Sequence, residues 1–493
     1  MKRNSKSFII FFIALGIVFF PSQGVSEDAP REDERVTRQM RLDALIEAIY
    51  IAKKEYYTGD VDSDAMFQGA IKGALAALED PYTYYISKQD HQRAVENLYT
   101  AQFGGLGIQI YANPDGLLKI SKPFANTPAA RAKLQAGDTI TKVNGQWIHL
   151  SEKTGMTLND VVNLLRGDIG TDVRITVQRK FLAPFDVTLT RAKIPINTVT
   201  STLLERNIGY IRLKSFIGGF CADGTYLDFL KALDALKASG MKALILDLRG
   251  NSGGLLNTAY RVADAFIPDG IIVTTKGRNG EIKDVFRATP DLQCPRDIPL
   301  IVLVNEYSAS ASEIVAGAIK DTHRGILVGQ KTFGKGVVQK RHPLPDGGAI
   351  SLTISTYYTP NGTSIHEEGL TPDVIIQPEV PDDVEQLMLR KVDANKTLER
   401  FVDKWIEDHT KPRGEIPKDF AGLEAEIPKL QQTLAEEDIL VNLRWLKVRA
   451  EHIFNRHVGV EPVVTLAYDQ QLQGAIDILK TDSVSKYIQI PQK

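Results

Sequence analysis

The sequence predicts a multidomain α/β protein, on the basis of three changes of pattern along its 493 residues. Apolar residues recur at three- and four-residue spacing near the N-terminus, as one buried helix face requires. Short alternating strands and glycine turns follow from about residue 101 to 191. Strands then alternate with helices from about residue 198 to 380, which predicts a layered core.

Composition and charge exclude several classes of function. The chain is 43% hydrophobic and 24% charged, as in ordinary soluble proteins. A formal net charge of -2 gives no support to nucleic-acid binding. The eight histidines are scattered and no paired-Cys or His-Glu-x-x-His spacing occurs, so the sequence predicts no metal site.

The N-terminus departs from this ordinary composition. Basic residues precede an apolar run from Phe8 to Phe20, and the small residues Gly24 and Ser26 follow. The run is shorter than the roughly 20 residues that span a bilayer. We therefore predict a signal peptide over residues 1–26 and an exported, periplasmic protein. An uncleaved segment that keeps the protein at the membrane is the alternative.

Residues 27–98 are predicted to form an N-terminal helical segment. One helix should bury a face that carries Leu42, Leu45, Ile46 and Ile49. A second helix should span Ala65 to Leu78 and end before the turn signal Asp80-Pro81. No catalytic pattern occurs there, so the segment is interpreted as a packing element.

A Gly-Gly-Leu-Gly-Ile turn at residues 104–108 opens an alternating strand. Unpaired N–H groups in such a turn can hold a carboxylate. The strand and a predicted helix at 158–165 would flank a groove in which a peptide adds as a strand. Leu-Gln-Ala-Gly-Asp and Val-Asn-Gly follow in order, and residues 99–192 thereby resemble a PDZ domain. The resemblance implies that protein or peptide C-terminal tails bind at Gly105, Leu106, Gly107 and Ile108.

Residues 193–380 show the rhythm of an α/β layer structure. Near-continuous apolar strands from Ala243 to Leu248 and from Leu300 to Val304 are typical of strands buried on both faces. A helical period at residues 312–319 follows the second strand. Residues 381–493 are helical and charged, with breaks at Pro412, Pro417 and Pro428. That C-terminal helical extension carries no recognisable chemistry.

Three segments of this core carry candidate reactive groups. Ser310 lies between a buried strand and a helix, where free helical N–H groups favour developing negative charge. Serine is a weak nucleophile and needs a base. Lys335 stands between glycines among apolar residues, and desolvation lowers the pKa of such a lysine. Glycines at 250–254 end a buried strand and let N–H groups approach a substrate oxygen.

These segments, behind a signal peptide and a PDZ-like domain, resemble the carboxy-terminal processing (tail-specific) protease family. The resemblance runs from about Leu45 to Pro378. It includes Tyr-Tyr-Thr-Pro-Asn-Gly at 357–362 and Gly-Leu-Thr-Pro-Asp-Val at 369–374. It implies a crotonase-like α/β protease core with an inserted PDZ domain, in a serine endopeptidase that cuts substrates at or near their C-termini.

The resemblance also assigns roles to individual residues. It implies that Ser310 is the nucleophile, that Lys335 is the base, and that Gln339 orients the lysine. The N–H groups of Gly254 and Ala311 would form the oxyanion hole. Glu313 matches a further polar position without a clear role. The family needs no cofactor.

The chain departs from the family pattern in two places. Thr363 and His366 replace the Arg and Gln common in one family loop. This difference bears on local contacts and not on the catalytic pair Ser310 and Lys335. Residues 467–480 resemble the helix that usually follows the core closely, but here a long segment intervenes.

Two rival interpretations and several questions stay open. Gly-Asn-Ser-Gly-Gly at 250–254 mimics the nucleophile loop of trypsin-like proteases, although it ends an α/β strand and has no suitably placed upstream histidine. A PDZ-based tail-binding scaffold or chaperone with an inactive core is the non-enzymatic alternative. The sequence leaves open a disulfide between Cys221 and Cys294, an adaptor or regulatory protein, and a homo-oligomer.

Overall fold

The computed structural model describes residues 32–95, 102–113, 115–124, 126–150, 156–179, 182–218, 224–410, 417, 419–458 and 469–481. The predicted signal peptide, Cys221 and Pro412 lie outside these residues. The chain divides into two compact units, residues 1–78 and 79–493.

The helices are α1 (Glu32–Glu55), α2 (Ser63–Ala76), α3 (Lys88–Val95), α4 (Pro128–Arg131), α5 (Leu158–Leu165), α6 (Thr225–Ala238), α7 (Leu256–Asp264), α8 (Ala311–Asp321), α9 (Asp383–Ala394), α10 (Thr397–His409), α11 (Ala421–Glu424), α12 (Ile427–Glu436), α13 (Leu443–Val458) and α14 (Gln470–Lys480).

The strands are β1 (Tyr84–Ile86), β2 (Gln102–Gly105), β3 (Ile108–Ala112), β4 (Leu118–Pro123), β5 (Thr139–Val143), β6 (Gln146–Trp147), β7 (Asp172–Gln178), β8 (Phe185–Thr190), β9 (Ala192–Pro195), β10 (Val199–Leu204), β11 (Ile208–Leu213), β12 (Ala243–Asp247), β13 (Ile271–Lys276), β14 (Ile282–Arg287), β15 (Leu300–Val304), β16 (Ile326–Gly329), β17 (Val337–Pro343), β18 (Ala349–Tyr358) and β19 (Val374–Ile375).

The first unit contains α1 and α2, so the helical prediction is confirmed there. The Asp62 carboxylate caps α2 by accepting hydrogen bonds from the N–H groups of Asp64 and Ala65 at 2.9 and 3.1 Å. The expected buried face of α1 is wrong in part: Ile49 is 6% exposed, but Ile46 is 54% exposed. Within the described part of this unit, packing against α2 is not enough to bury the whole apolar face of α1.

The β-rich domain in the second unit is a six-stranded sheet in the order β3-β4-β5-β7-β8, with β6 beside β5. The predicted helix at residues 158–165 is α5, and its Val161 is completely buried. Strand β3 forms one edge of this sheet. The predicted arrangement of an alternating strand and a helix in one small core is therefore confirmed.

The α/β core is built on a six-stranded sheet in the order β10-β11-β12-β15-β16-β19. Strands β11, β12, β15, β16 and β19 are parallel. Every residue of β12 and β15 is buried, as expected for strands covered on both faces. Helices α6, α7 and α8 pack on one face, and α14 packs on the other.

A second sheet of five strands contains β1, β18, β13 and β14, with β17 beside β18. Strand β1 comes from the segment that was predicted to be helical, so that prediction is wrong at residues 84–86. The pairing of β1 with β18 explains the difference, because a long-range partner decides the conformation of such a short segment.

The C-terminal extension has two separate attachments. Helices α9 to α13 share an apolar core of their own, and α13 contacts the β-rich domain where the rings of Tyr111 and His457 lie 4.6 Å apart. Helix α14 returns to the α/β core.

Pro428 does not break a helix as expected; it lies in the first turn of α12, where its missing N–H costs nothing. None of the helices in the described ranges is long and apolar enough to span a membrane.

Candidate active site

The strand order of the core brings the three candidate segments together. Strands β12, β15 and β16 are consecutive and parallel, so their carboxyl ends meet at one edge of the sheet. Their following loops carry Gly254, Ser310 and Lys335 respectively. Ligands of open α/β sheets bind outside this edge. The three groups line one cavity of about 580 Å³ together with Ala311 and Gln339.

Ser310 has a strained backbone at the start of α8. Its φ is 55° and its ψ is -115°, a conformation that L-residues rarely adopt and that occurs mainly at functional sites. The Ser310 N–H donates to Glu313 Oε2 at 2.8 Å. This turn directs the residue towards the cavity at the helix N-terminus, where the helix dipole favours negative charge.

Glu313 connects the nucleophile turn to the lysine loop. Its side chain is 0% exposed. Beyond Ser310, the carboxylate accepts hydrogen bonds from Thr332 Oγ1 at 2.6 Å, from the Gly334 N–H at 2.8 Å and from the Lys335 N–H at 2.9 Å. Burial raises the pKa of Glu313, while these hydrogen bonds act in the opposite direction. A single buried carboxylate thus fixes the positions of two loops that are distant in sequence.

Lys335 is partly buried, and this burial lowers the pKa of its amine, while the charge of Asp80 raises it. The Lys335 Nζ atom lies 4.9 Å from the centre of the Tyr82 ring. Across the described part of the chain, no hydrogen bond joins Lys335 Nζ to Ser310. Catalytic hydrogen bonds in ligand-free enzymes often tighten only when substrate binds.

Gln339 lines the same cavity as Lys335, but its amide has another partner. Its Nε2 donates to the Val337 carbonyl oxygen at 3.4 Å. The described residues include no hydrogen bond between Gln339 and Lys335. The expected orienting contact therefore stays a prediction for the substrate-bound enzyme.

The glycine loop after β12 packs directly on the nucleophile turn. A Cβ atom at Gly253 would lie 2.8 Å from the carbonyl oxygen of Ala309, and one at Gly254 would lie 2.0 Å from the carbonyl oxygen of Phe216. The φ of Gly254 is 145°, so only glycine fits without strain. The Asn251 carbonyl oxygen accepts from the Ala309 N–H at 3.0 Å and from Ser312 Oγ at 2.7 Å.

Tyr357 is a cavity residue whose role the motifs did not indicate. It is 1% exposed, and its hydroxyl donates to the Lys335 carbonyl oxygen. Burial raises the pKa of Tyr357 well above its usual range, and the Glu313 charge adds to this effect, while a hydrogen bond with Ser310 opposes it. The phenol therefore contacts both the nucleophile and the lysine loop.

The predicted tail-binding turn is fixed by contacts within and beside the β-rich domain. Gly107 has a φ of 73°, and its carbonyl oxygen accepts from the Phe124 N–H at 2.8 Å. Leu106 is buried in the domain core, and Ile108 packs against that core. Gly105 pairs with Ala192 between β2 and β9. The turn is thus held by its surroundings, and it opens onto the edge strand β3.

Two neighbours of the cavity, Asp80 and Tyr82, were not identified from the sequence, because their segment contains only a turn signal. Glu313 was identified as a polar position without a clear role. A Ser-x-x-Glu capping box that begins at Ser310 could have indicated its reciprocal contact at the helix start. The described residues contain no group of His, Cys, Asp and Glu side chains placed to hold a metal ion. Cys294 is buried and has no disulfide partner among the described residues, which do not include Cys221.

A strained serine at a helix start, a lysine with a lowered pKa and a glycine-rich backbone loop define a serine-type hydrolase site. The comparisons with known proteins specify the family. Residues 207–376 match "Peptidase family S41", and residues 120–179 match "PDZ domain". Residues 17–90 match "Activating protease CtpB N-terminal domain".

Two relatives match most of the chain. The carboxy-terminal processing protease CtpA of Bacillus subtilis is 34% identical over 400 residues, which are 80% of this chain and 81% of that protein. A carboxy-terminal-processing protease of Bartonella bacilliformis is 36% identical over 380 residues, which are 76% and 83% of the two chains. Among solved structures, a photosystem II D1 C-terminal processing protease is 30% identical with a TM-score of 0.40, and covers 69% of this chain and 94% of that one.

The chain therefore belongs to peptidase family S41, among the carboxy-terminal processing proteases, and is a serine-type peptidase with a PDZ domain. This result excludes the trypsin-like alternative. In agreement, Ser252 of the Gly-Asn-Ser-Gly-Gly segment is exposed and follows a strand of a parallel sheet.

Proposed function

We propose that this protein is an exported serine endopeptidase that cleaves proteins at or near their C-termini with a Ser310–Lys335 dyad. The single observation that carries the proposal is the cavity shared by Ser310, Lys335 and Gly254 at one edge of the parallel sheet. The names of the relatives refer to carboxy-terminal processing, and this supports the substrate class.

The proposed reaction uses the lysine as base and then as acid. Neutral Lys335 takes the hydroxyl proton of Ser310 while the serine oxygen attacks the scissile carbonyl carbon. The N–H groups of Gly254 and Ala311 stabilise the resulting oxyanion. The Lys335 ammonium then protonates the leaving amine, and a water molecule hydrolyses the acyl-enzyme with the same lysine as base.

The PDZ domain is proposed to bind the substrate tail. Strand β3 is a sheet edge, so an extended tail can add beside it, with its terminal carboxylate at residues 105–108. Export is proposed from the basic start and apolar run of residues 1–26, which lie outside the described residues. A periplasmic location, an adaptor and a homo-oligomer are parts of the same proposal.

The test is hydrolysis of a reporter peptide by the purified full-length protein. Ser310→Ala should reduce kcat/KM on the order of 10⁴-fold or more, because the nucleophile is lost. Ser252→Ala is the matched control and should keep wild-type activity, since Ser252 is exposed. Hydrolysis that persists in Ser310→Ala would refute the assignment. A wild-type protein that binds tails without cutting them would favour the scaffold alternative.

A further inference from the structure

The lining of the catalytic cavity is chemically mixed. Leu255, Leu256, Ile314 and Val337 are apolar lining residues, whereas Lys340 and Arg341 are basic lining residues on β17. The apolar residues suit an apolar substrate residue. The basic residues have no role in the proposed proton transfers, so they require another explanation.

The cavity extends along the free edge of β17. Five consecutive residues of this strand, from Val337 to Arg341, line the cavity. Side chains of consecutive strand residues alternate between two faces, so a cavity that borders all of them lies along the strand edge. In the described residues β17 pairs only with β18, which leaves the other edge open for an extended peptide.

The position of Arg341 on β17 is defined by its neighbours on the adjacent strands. It pairs with Ser351 of β18, which in turn pairs with Tyr84 of β1. All three residues line the cavity, so from the edge of β17 it also extends over the face of the sheet that these cross-strand neighbours share. Gln339, two residues earlier on β17, lines it too.

One nitrogen of the Arg341 side chain lacks an acceptor among the residues that the structure describes. It is partly buried, and its Nη1 atom is buried without a hydrogen-bond partner among the described residues. A buried donor without an acceptor costs free energy. A guanidinium group pairs best with a carboxylate, which can accept two parallel hydrogen bonds.

We propose that Arg341 forms a subsite that binds a substrate carboxylate near the scissile bond. Arg341 lies two residues beyond Gln339 on β17, a separation of roughly 6.6 Å along the strand. The carboxylate is either an Asp or Glu side chain or the free C-terminus of a tail. This proposal rests on the proposed endopeptidase function and specifies its substrate class.

The experiment compares peptide pairs that differ only by Asp and Asn at successive positions on both sides of one scissile bond. Further pairs end one, two or three residues after that bond, each with a free or an amidated C-terminus. The full-length wild-type protein should cleave one carboxylate-bearing peptide with kcat/KM about 10-fold or more above its neutral partner, through a lower KM. The position and the type of that peptide identify the source of the carboxylate.

Variants of Arg341 test whether this preference depends on the guanidinium group. Arg341→Gln should lose the preference, so that its kcat/KM for each carboxylate-bearing peptide falls to that for the neutral partner, and Arg341→Lys should keep part of it. Arg287→Gln is the matched control, since Arg287 is exposed on β14 of the same sheet and outside the cavity. It should keep the full preference.

Two results would overturn the proposal. One is equal cleavage of every Asp and Asn pair and of both C-terminal forms by the wild type. The other is a preference that survives in Arg341→Gln. Both results keep Ser310-dependent cleavage of neutral peptides, and they therefore differ from a failure of the dyad itself, in which cleavage would persist in Ser310→Ala.

Discussion

The catalytic cavity and the proposed tail-binding groove lie in the same compact unit but are held together in different ways. The cavity depends on buried polar side chains that connect distant segments, such as Glu313 at 0% exposure. The groove depends on the backbone of a glycine turn and a strand edge, and Gln109 on β3 is exposed. Side-chain changes should therefore affect the cavity strongly, whereas the groove should respond mainly to changes in its ligand.

Among changes to the side chains that hold the cavity together, the largest effect on kcat/KM is expected for Glu313→Gln. A carboxamide has one oxygen acceptor in place of two, and its NH₂ group would face N–H donors. Because the carboxylate positions both Ser310 and Lys335, kcat/KM should fall by roughly 10- to 100-fold, the equivalent of one lost charge-assisted hydrogen bond.

Glu306→Gln is the control for this experiment, because Glu306 is exposed on the same loop as Ser310. It should retain wild-type kinetics. Peptide kinetics and thermal unfolding measured on both variants separate a positioning effect from unfolding. Wild-type turnover by Glu313→Gln would show that this carboxylate does not position the dyad.

A smaller effect is expected at the groove. The Ser310→Ala protein should bind a peptide with a free apolar C-terminus about 10-fold more tightly than its C-terminally amidated form, because amidation removes the charge-assisted hydrogen bonds to backbone N–H groups. Titration calorimetry measures both affinities. N-terminal acetylation of the same peptide is the control and should leave binding unchanged. Equal affinity of the free and amidated forms would rule out carboxylate capture.

The sequence predicted the features that depend on local pattern. Apolar runs identified β12 and β15, and glycines near Lys335 and Gly254 identified loops with unusual backbone requirements. Hydrophobic period and turn residues report on segments one at a time. They indicated that the core is layered, but not that β12, β15 and β16 are neighbours, and this order is what assembles the cavity.

The missed features all depend on contacts between distant segments. Asp80 affects the pKa of Lys335 although it lies in the N-terminal segment, far from the core in sequence. Arg249 forms an ion pair with Asp469 at 2.7 Å, across the whole helical extension. Nothing in the spacing of these residues shows that they meet, because a folded chain brings together groups at any separation. The same reason explains why β1 was assigned to a helical segment.

The central claim is that neutral Lys335 is the base of the dyad. Burial lowers the pKa of Lys335, so kcat/KM should rise with pH through one ionisation below the value of about 10.4 for a free lysine. The Asp80 carboxylate raises the pKa of Lys335. Removal of that charge should make the amine lose its proton at lower pH.

The pH profile of kcat/KM for wild type, Asp80→Asn and Lys335→Arg tests this claim most directly. The rising limb of Asp80→Asn should lie at lower pH than that of the wild type. Lys335→Arg should be inactive at every pH, because guanidinium stays charged. Near-normal turnover by Lys335→Arg, or a rising limb that Asp80→Asn leaves in place or moves to higher pH, would contradict the assignment of Lys335 as the base.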